Sequence, residues 1–142
     1  MMVVRDSTHS ISSMTLTNYQ AGAVFPLLEC ASGQIWLAYS SQGEREALIR
    51  GAQQSEIKID PLIFNQLQGD DFAAQIRKVG YVVASNNRFT DTPGRTSSIA
   101  VPVCKDGKLV AALVLVYFAV AMKAATAIEK FLPTCDKAQM RW

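Results

Sequence analysis

Histidine and cysteine, which zinc sites and many catalytic centres use, are scarce in this sequence. The 142 residues include one histidine, His9, and three cysteines, Cys30, Cys104 and Cys135, which are widely separated and form no CxxC motif. Zinc sites draw their ligands from Cys and His residues at short spacings. We therefore expect no metal and no cofactor. Unpaired thiols of this kind are typical of the reducing cytoplasm.

Blocks of one charge and long apolar runs are also missing. No run of Lys and Arg exceeds two residues and the net charge is +2, which argues against direct nucleic-acid binding by these residues. The most apolar stretch, Ser97 to Ala119, is broken by Lys105, Asp106 and Lys108, whereas a membrane helix needs about 20 apolar residues. The amino terminus has no apolar signal segment. We expect a cytoplasmic protein that does not associate with membranes.

Helix starts and stops are marked by capping residues. Ser, Asp and Pro are favoured at helix starts and Gly just after helix ends. The predicted helices run from about Ser32 to Tyr39, from a cap at Ser40 or Ser41 to Gly51, from Asp60 and Pro61 to Gly69, and from Asp70 and Asp71 to Gly80. A carboxy-terminal helix follows, which Pro133 should kink or restart.

Strands are predicted at the short run MMVV, at YVVAS, and at Ser97–Val103 and Leu109–Tyr117. Asp106-Gly107 between the last two is a strong signal for a tight hairpin turn. Strands joined in this way are antiparallel, so the predicted class is α+β, with helices packed on an antiparallel sheet.

A catalytic interpretation would use Cys30 as nucleophile with His9 as base. Cys30 precedes a predicted helix, where a thiolate would be stabilised, but nothing in the sequence brings His9 near it. A surface histidine and a buried thiol explain both residues without an active site, and capping explains the acidic residues.

A binding interpretation begins at ECASGQ, where an extended segment becomes a helix. The N–H groups of Ala31, Ser32 and Gly33 lack helical acceptors and would attract a carboxylate or phosphate. The alternative is that Ser32 simply caps the helix.

The hairpin supplies a second candidate wall. Alternation places Thr96 and Ser98 on one face, beside Val114 and Val116, a composition that suits a small-ligand pocket. The same face could instead lie at a solvent edge, and Pro102 permits an edge or a bulge there.

Four segments together resemble the effector-binding domain of IclR-type bacterial transcriptional regulators. They are FPLLECASGQIWLAYSSQGEREALI, IRKVGYVV, SSIAVPVCKDGKLVAALVLVY and AIEKFLP, in the family's order. The stretches VRDSTHSISSMT and LVYFAVAMKAATAIEKFLP look most like regulators that activate phenylpropionate and hydroxyphenylpropionate catabolism.

The resemblance implies a GAF-like α+β fold with a curved antiparallel sheet, a bound small organic acid, and a homodimer or homotetramer. It also implies that DNA is read by an amino-terminal winged helix-turn-helix, which residues 1–142 do not contain. Compared with the family's domain, this sequence lacks the opening helix and first strand.

Carried over by position, the family's pocket falls on Ala31 and Ser32 before the helix and on Thr96, Ser98, Val114 and Val116 of the hairpin. We expect Trp36 or Phe89 to border the ligand's apolar body. Some members have serines where Val114 and Val116 stand, so this pocket favours an apolar or aromatic acid over a short keto acid. An oligomerisation scaffold without a ligand, and an enzyme using Cys30, remain as alternatives.

Overall fold

A computed structural model describes residues 1–8, 19–55, 59–69, 71–89 and 94–139 of the protein. Within these ranges helices and antiparallel strands are combined, which confirms the predicted α+β class. The helices are α1 (Ala31–Tyr39), α2 (Gln42–Gln53), α3 (Pro61–Gln68), α4 (Phe72–Val79) and α5 (Ala124–Gln139); the strands are β1 (Met2–Val3), β2 (Val24–Phe25), β3 (Val82–Ala84), β4 (Thr96–Lys105) and β5 (Lys108–Phe118).

Capping residues set the starts of α2 and α3 as predicted. The Ser41 side chain accepts a hydrogen bond from the Glu44 N–H, and the Glu44 carboxylate accepts one from the Ser41 N–H. Asp60 accepts from the Leu62 N–H, with Pro61 in the first turn. Each bond satisfies a donor that the helix itself leaves unpaired.

Two helix ends differ in how they use glycine. Gly80 adopts a left-handed conformation with φ of 84° and ends α4, as predicted. Gly51 was predicted to end α2, but the helix continues to Gln53. Gly51 has no positive φ, so its backbone stays in the helical region and nothing interrupts the helix there. Asp71 is the cap residue of α4, and Asp70 lies outside the described residues.

The predicted hairpin is present, in a three-stranded sheet of order β3-β4-β5. Asp106 and Gly107 have φ of 52° and 74°, which a tight primed turn requires. Ser98 pairs with Val116 and Ala100 with Val114, so these residues share a sheet face. β1 and β2 form a separate antiparallel pair.

A bulge interrupts the hairpin close to Pro102. Val103 pairs with Ala111, but Cys104 pairs with Leu109, so Val110 is the extra residue. β3 accompanies β4 only as far as Ala100. At Pro102, β4 is therefore still paired with β5 but no longer with β3. Proline has no N–H to donate, and it is tolerated where a strand is at the edge of a sheet.

Helices cover both faces of the sheet. On one face, Ala31 and Ile35 of α1 pack against Val82 and Ala100. On the other, Ala127 of α5 packs against Ile99 and Tyr117. A further cluster joins α1, α2 and α3 through Leu28, Leu37, Ile49 and Leu67. This two-sided cover buries every residue from Thr96 to Val101, so the alternative of a solvent-edge face at Thr96 and Ser98 is wrong.

The carboxy-terminal helix is one element. Its helix continues from Ala124 through Pro133 to Gln139, so of the two effects expected at Pro133, a kink or a restart, the restart does not occur. Proline removes one backbone hydrogen bond of a helix, and the turns on either side keep the helical conformation. Among the described residues, no helix is long and apolar enough to cross a membrane.

Candidate functional site

A cavity of about 840 Å³ opens at the amino-terminal end of α1. Its walls come from the first turn of α1, from α3 and α4, from β3 with the loop after it, and from the hairpin. Five residues singled out from the sequence line it: Ala31, Ser32, Phe89, Ser98 and Val114. The volume lies in the range of small-molecule sites.

The other three predicted residues lie elsewhere. Val116 and Thr96 are on the sheet face of Ser98, but they do not form the cavity wall. Trp36 lies in a different depression, with Tyr39 and Lys108. Of the two residues expected to border the ligand's apolar body, Phe89 is the one that lines the cavity. At helical spacing, Trp36 follows Ser32 by one turn, and its side chain is therefore carried away from the end of α1.

Close packing fixes how the chain enters α1. The turn from Pro26 to Cys30 is closed by a hydrogen bond from the Cys30 N–H to the Pro26 carbonyl, 3.2 Å long. A Cβ placed on Gly33 would overlap the Leu27 carbonyl oxygen. Only glycine lets this turn lie directly against the first turn of α1, so the sequence LLECASG fixes the direction of the helix end.

The start of α1 lacks a side-chain cap. Cys30 is the N-cap residue, with extended backbone angles, and its side chain makes no capping hydrogen bond. Ser32 is the second helical residue, and its hydroxyl lies 3.4 Å from Cys30 Sγ. The alternative that Ser32 caps the helix is therefore wrong. Within the described part of the chain, the N–H groups of Ala31 and Ser32 have no hydrogen-bond acceptor.

A polar cluster stands beside this helix start. Asn87 Nδ2 donates to Ser98 Oγ and to the Tyr19 hydroxyl, each at 3.4 Å, and the Tyr19 ring stacks on Phe25 with ring centres 5.2 Å apart. Burial raises the pKa of Tyr19, and the nearby Thr96 and Asn87 side chains partly oppose this. The phenol is therefore protonated at neutral pH.

Thr96 is fully buried beneath the cluster. Among the described residues, no group makes a hydrogen bond of standard geometry with its Oγ1. An unpaired buried hydroxyl costs about 1–3 kcal/mol.

An ion-pair group forms another part of the wall. Glu29, whose side chain is 3% exposed, accepts a hydrogen bond from the Asp60 N–H at 2.7 Å and pairs with Arg88 at 3.2 Å. Arg88 also lies 3.5 Å from Asp60 Oδ2 and is half exposed. Its guanidinium is 5.9 Å from the centre of the Phe89 ring.

The structure gives little support to thiol chemistry. Burial raises the pKa of the Cys30 thiol, with smaller opposing effects from Ser32 and backbone N–H groups. A thiol with a raised pKa is a poor nucleophile at neutral pH. His9, the proposed base, lies outside the described residues. Among the described residues, no group of three His, Cys, Asp or Glu side chains is arranged to hold a metal ion.

The sequence did not identify the residues of the polar cluster and of the ion-pair group at the cavity, among them Tyr19, Glu29, Asn87 and Arg88. One signal was available, because Glu29 stands in the otherwise apolar run FPLLECA and a buried acid needs a partner. Nothing local identifies that partner. Arg88 is 59 positions further along the chain.

Comparison with known proteins identifies the fold. No protein-family model matches the sequence. The PobR transcription factor inducer-binding domain from Acinetobacter, a double mutant in complex with 3-hydroxybenzoic acid, is 15% identical with a TM-score of 0.68, over 92% of this chain and 72% of that chain. An IclR homolog from Microbacterium hydrocarbonoxydans complexed with 4-hydroxybenzoate is 20% identical with a TM-score of 0.64, over 90% of this chain.

The C-terminal domain of the E. coli transcriptional regulator KdgR is 20% identical, with a TM-score of 0.63, over 84% of this chain and 70% of that domain. This chain spans 49% of the Microbacterium regulator. The fold of this chain is therefore that of the IclR-type effector-binding domains, which the four sequence segments resemble.

Proposed function

We propose that this chain is the ligand-sensing domain of an IclR-type transcriptional regulator and that it binds a small organic acid, preferably an aromatic one, in the cavity at the start of α1. The observation that carries the proposal is the uncapped end of α1. Two unpaired N–H groups, of Ala31 and Ser32, lie at the cavity wall. A helix amino terminus stabilises an anion through these donors and the helix dipole.

Ser98 supports the same site for the carboxylate. Its Oγ accepts a hydrogen bond from Asn87 Nδ2, which leaves its own O–H available to donate. A carboxylate held by the N–H groups of α1 and by this hydroxyl would receive charge-assisted bonds, which are about twice as strong as neutral ones.

The rest of the wall suits an apolar body. Val114 and Phe89 line the cavity, as do Ile63, Phe72 and Ile76 of the helical side. Apolar pockets with a few well-placed polar groups are the usual form of small-molecule sites. Two solved structures of the same fold contain 3-hydroxybenzoic acid and 4-hydroxybenzoate, which supports an aromatic acid for this chain.

The remaining expectations follow from this assignment. We propose a homodimer or homotetramer in the bacterial cytoplasm, with DNA contacted by a separate winged helix-turn-helix domain. Ligand binding would shift the packing between subunits, and it can do so only if the two arrangements differ in affinity for the ligand. Thr96 and Val116 would support the pocket from beneath rather than touch the ligand.

A thermal-shift screen with phenylpropionates, benzoates and short keto acids tests the proposal, each acid being compared with its carboxamide. We expect aromatic acids to stabilise the protein and their amides to bind at least about tenfold more weakly, since only the acids carry the charge that α1 attracts. If no acid stabilises a folded sample, the alternative of an oligomerisation scaffold without a ligand is favoured over a ligand-sensing domain.

Ser98→Val tests the carboxylate site within that screen. We expect it to weaken acid binding by about tenfold, through loss of one hydrogen bond to a charged group. Thr126→Val is the matched control, because Thr126 is exposed on α5, on the other side of the sheet. Equal affinities of the Ser98→Val variant and the wild type would remove Ser98 from the site.

A further inference from the structure

Arg88 joins three segments that are far apart in the sequence. Its guanidinium lies 3.2 Å from Glu29, in the turn before α1, and 3.5 Å from Asp60, the cap of α3, while Arg88 itself belongs to the loop after β3. Among the described residues that line the cavity, Arg88 is the one cation. The guanidinium therefore links the loop after β3 to the start of α1.

The charges around this contact are unbalanced without Arg88. Glu29 and Asp60 carry two carboxylates, and Glu29 is almost completely buried. A buried carboxylate without a cation is costly, and it lowers that cost by moving towards water. Glu29 immediately precedes the N-cap residue Cys30, so its movement would carry the first turn of α1 with it.

We propose that Arg88 is a positioning residue for ligand binding, which acts through Glu29 to hold the Ala31 and Ser32 N–H groups at the cavity wall. This inference rests on the proposed function. Arg88 also neutralises a negative charge two positions before Ala31, which would otherwise repel an incoming carboxylate. Both effects pass through the Glu29 carboxylate, and neither requires Arg88 to touch the ligand.

The competing interpretation is direct contact. A guanidinium has five N–H donors, and the half-exposed Arg88 has donors to spare beyond those that meet Glu29 and Asp60. A direct bond from Arg88 to the ligand would not depend on the charge of Glu29. The two interpretations therefore differ in what happens when Glu29 is made neutral.

A double-mutant cycle measures this difference. The Kd for 3-phenylpropionate, or for a benzoate that binds more tightly in the screen, is determined by calorimetry for the wild type, Arg88→Met, Glu29→Gln and the double variant. We expect Arg88→Met to raise the Kd by about tenfold, and the double variant to recover most of the lost affinity. Arg88→Lys keeps the charge and should lie between the wild type and Arg88→Met. Arg50→Met removes a surface ion pair of α2 and should change nothing.

A second experiment, carried out without ligand, measures how readily the turn before α1 opens. The rate at which iodoacetamide modifies Cys30 is measured by peptide mass spectrometry, with the exposed Cys104 as internal reference. We expect Arg88→Met to raise the Cys30 rate by about tenfold, because the turn opens locally, and the additional Glu29→Gln change to restore it. The rate at Cys104 should stay constant, and circular dichroism reports whether each variant is folded.

The outcomes separate the two proposals. An unchanged Kd or an unchanged Cys30 rate in Arg88→Met would overturn the positioning role, and so would a double variant that binds as weakly as Arg88→Met. A wild-type protein that binds no acid would overturn the proposed function and, with it, the role in ligand binding. The Cys30 rates would still show whether Arg88 holds the turn.

Discussion

Two helices begin within a short distance of each other in the sequence, and their ends are built in opposite ways. α2 begins at a solvent-exposed capping box, in which Ser41 and Glu44 satisfy each other's backbone donors. α1 begins at Cys30, whose side chain makes no capping bond, and its first N–H groups lie at a cavity. The closed end uses its donors within the helix, whereas the N–H groups of Ala31 and Ser32 at the open end have no acceptor among the described residues.

The two ends also differ in their surroundings. Gly33 of α1 touches the backbone of Leu27, whereas no described atom outside the neighbouring backbone of α2 lies within 4 Å of the Cβ position of Gly43. The open end is therefore held from outside, by the turn before it and by the ion pairs of Glu29. A helix end that binds a ligand needs such support because it lacks a cap of its own.

The largest difference between the two ends should appear when alanine replaces the glycine in each first turn. Gly33→Ala forces the backbone at Leu27 to move, and we expect it to lower the free energy of unfolding by about 3 kcal/mol. Gly43→Ala has open space and should raise it by up to about 0.5 kcal/mol, because alanine favours the helix. Urea denaturation measures the free energy of unfolding of both variants. Equal denaturation midpoints would show that the turn before α1 does not pack closely against Gly33.

A carboxylate placed at each helix start should affect ligand binding at only one of them. Cys30→Asp supplies the missing cap of α1, occupies its N–H groups and repels a second anion, so we expect the Kd for an aromatic acid to rise by about tenfold or more. Ser41→Asp exchanges one good cap for another in α2 and should leave the Kd unchanged. Calorimetry measures the Kd of each variant. If the Cys30→Asp variant binds the acid as tightly as the wild type, the start of α1 is not the carboxylate site.

Removal of a serine hydroxyl should lower the free energy of unfolding more at the closed end, the start of α2, than at the open end, the start of α1. Ser41→Ala removes a cap and should lower the free energy of unfolding by about 1 kcal/mol. Ser32→Ala removes a hydroxyl whose neighbour is Cys30 Sγ at 3.4 Å, and it should cost less than about 0.5 kcal/mol. Urea midpoints of the two variants give the comparison, and a larger loss for Ser32→Ala would contradict it.

The smallest expected effect is the pH dependence of the closed end. Hydrogen bonds from the Ser41 side chain and backbone hold the pKa of Glu44 below its ordinary value of 4.5. The Glu44 carboxylate therefore contributes stability above that ordinary value and loses the contribution as pH falls through its lowered pKa in the folded protein. The wild type and Glu44→Gln should differ in thermal midpoint at about pH 6, and the difference should shrink as the pH falls below the ordinary range of a glutamate carboxyl. A difference that stays constant with pH would contradict the assignment.

Features formed by neighbouring residues were predictable from the sequence. The cap at Ser41 and the cap-and-proline pair at Asp60 and Pro61 each depend on residues within one turn. The same holds for the turn at Asp106-Gly107, whose positive φ values are a property of the dipeptide. The pairing of Ser98 with Val116 then followed from the two-residue period of the strands.

Features made by distant segments were not predictable. The bond from Asn87 to Tyr19 and the ion pair of Arg88 with Glu29 join residues more than fifty positions apart. The identity of the cap residue of α1 depended on how the turn before it packs on Gly33, which moved the helix start to include Ala31.

The burial of β4 on both faces makes the wall between the cavity and α5 a single strand thick. Ser98 lies on the cavity side, and the next residue, Ile99, lies in the cluster with Tyr117 and Ala127 of α5. Adjacent residues of a strand share one planar peptide unit, and their side chains point to opposite faces of the sheet. One peptide unit therefore separates the cavity wall at Ser98 from the apolar cluster that holds α5 against the sheet.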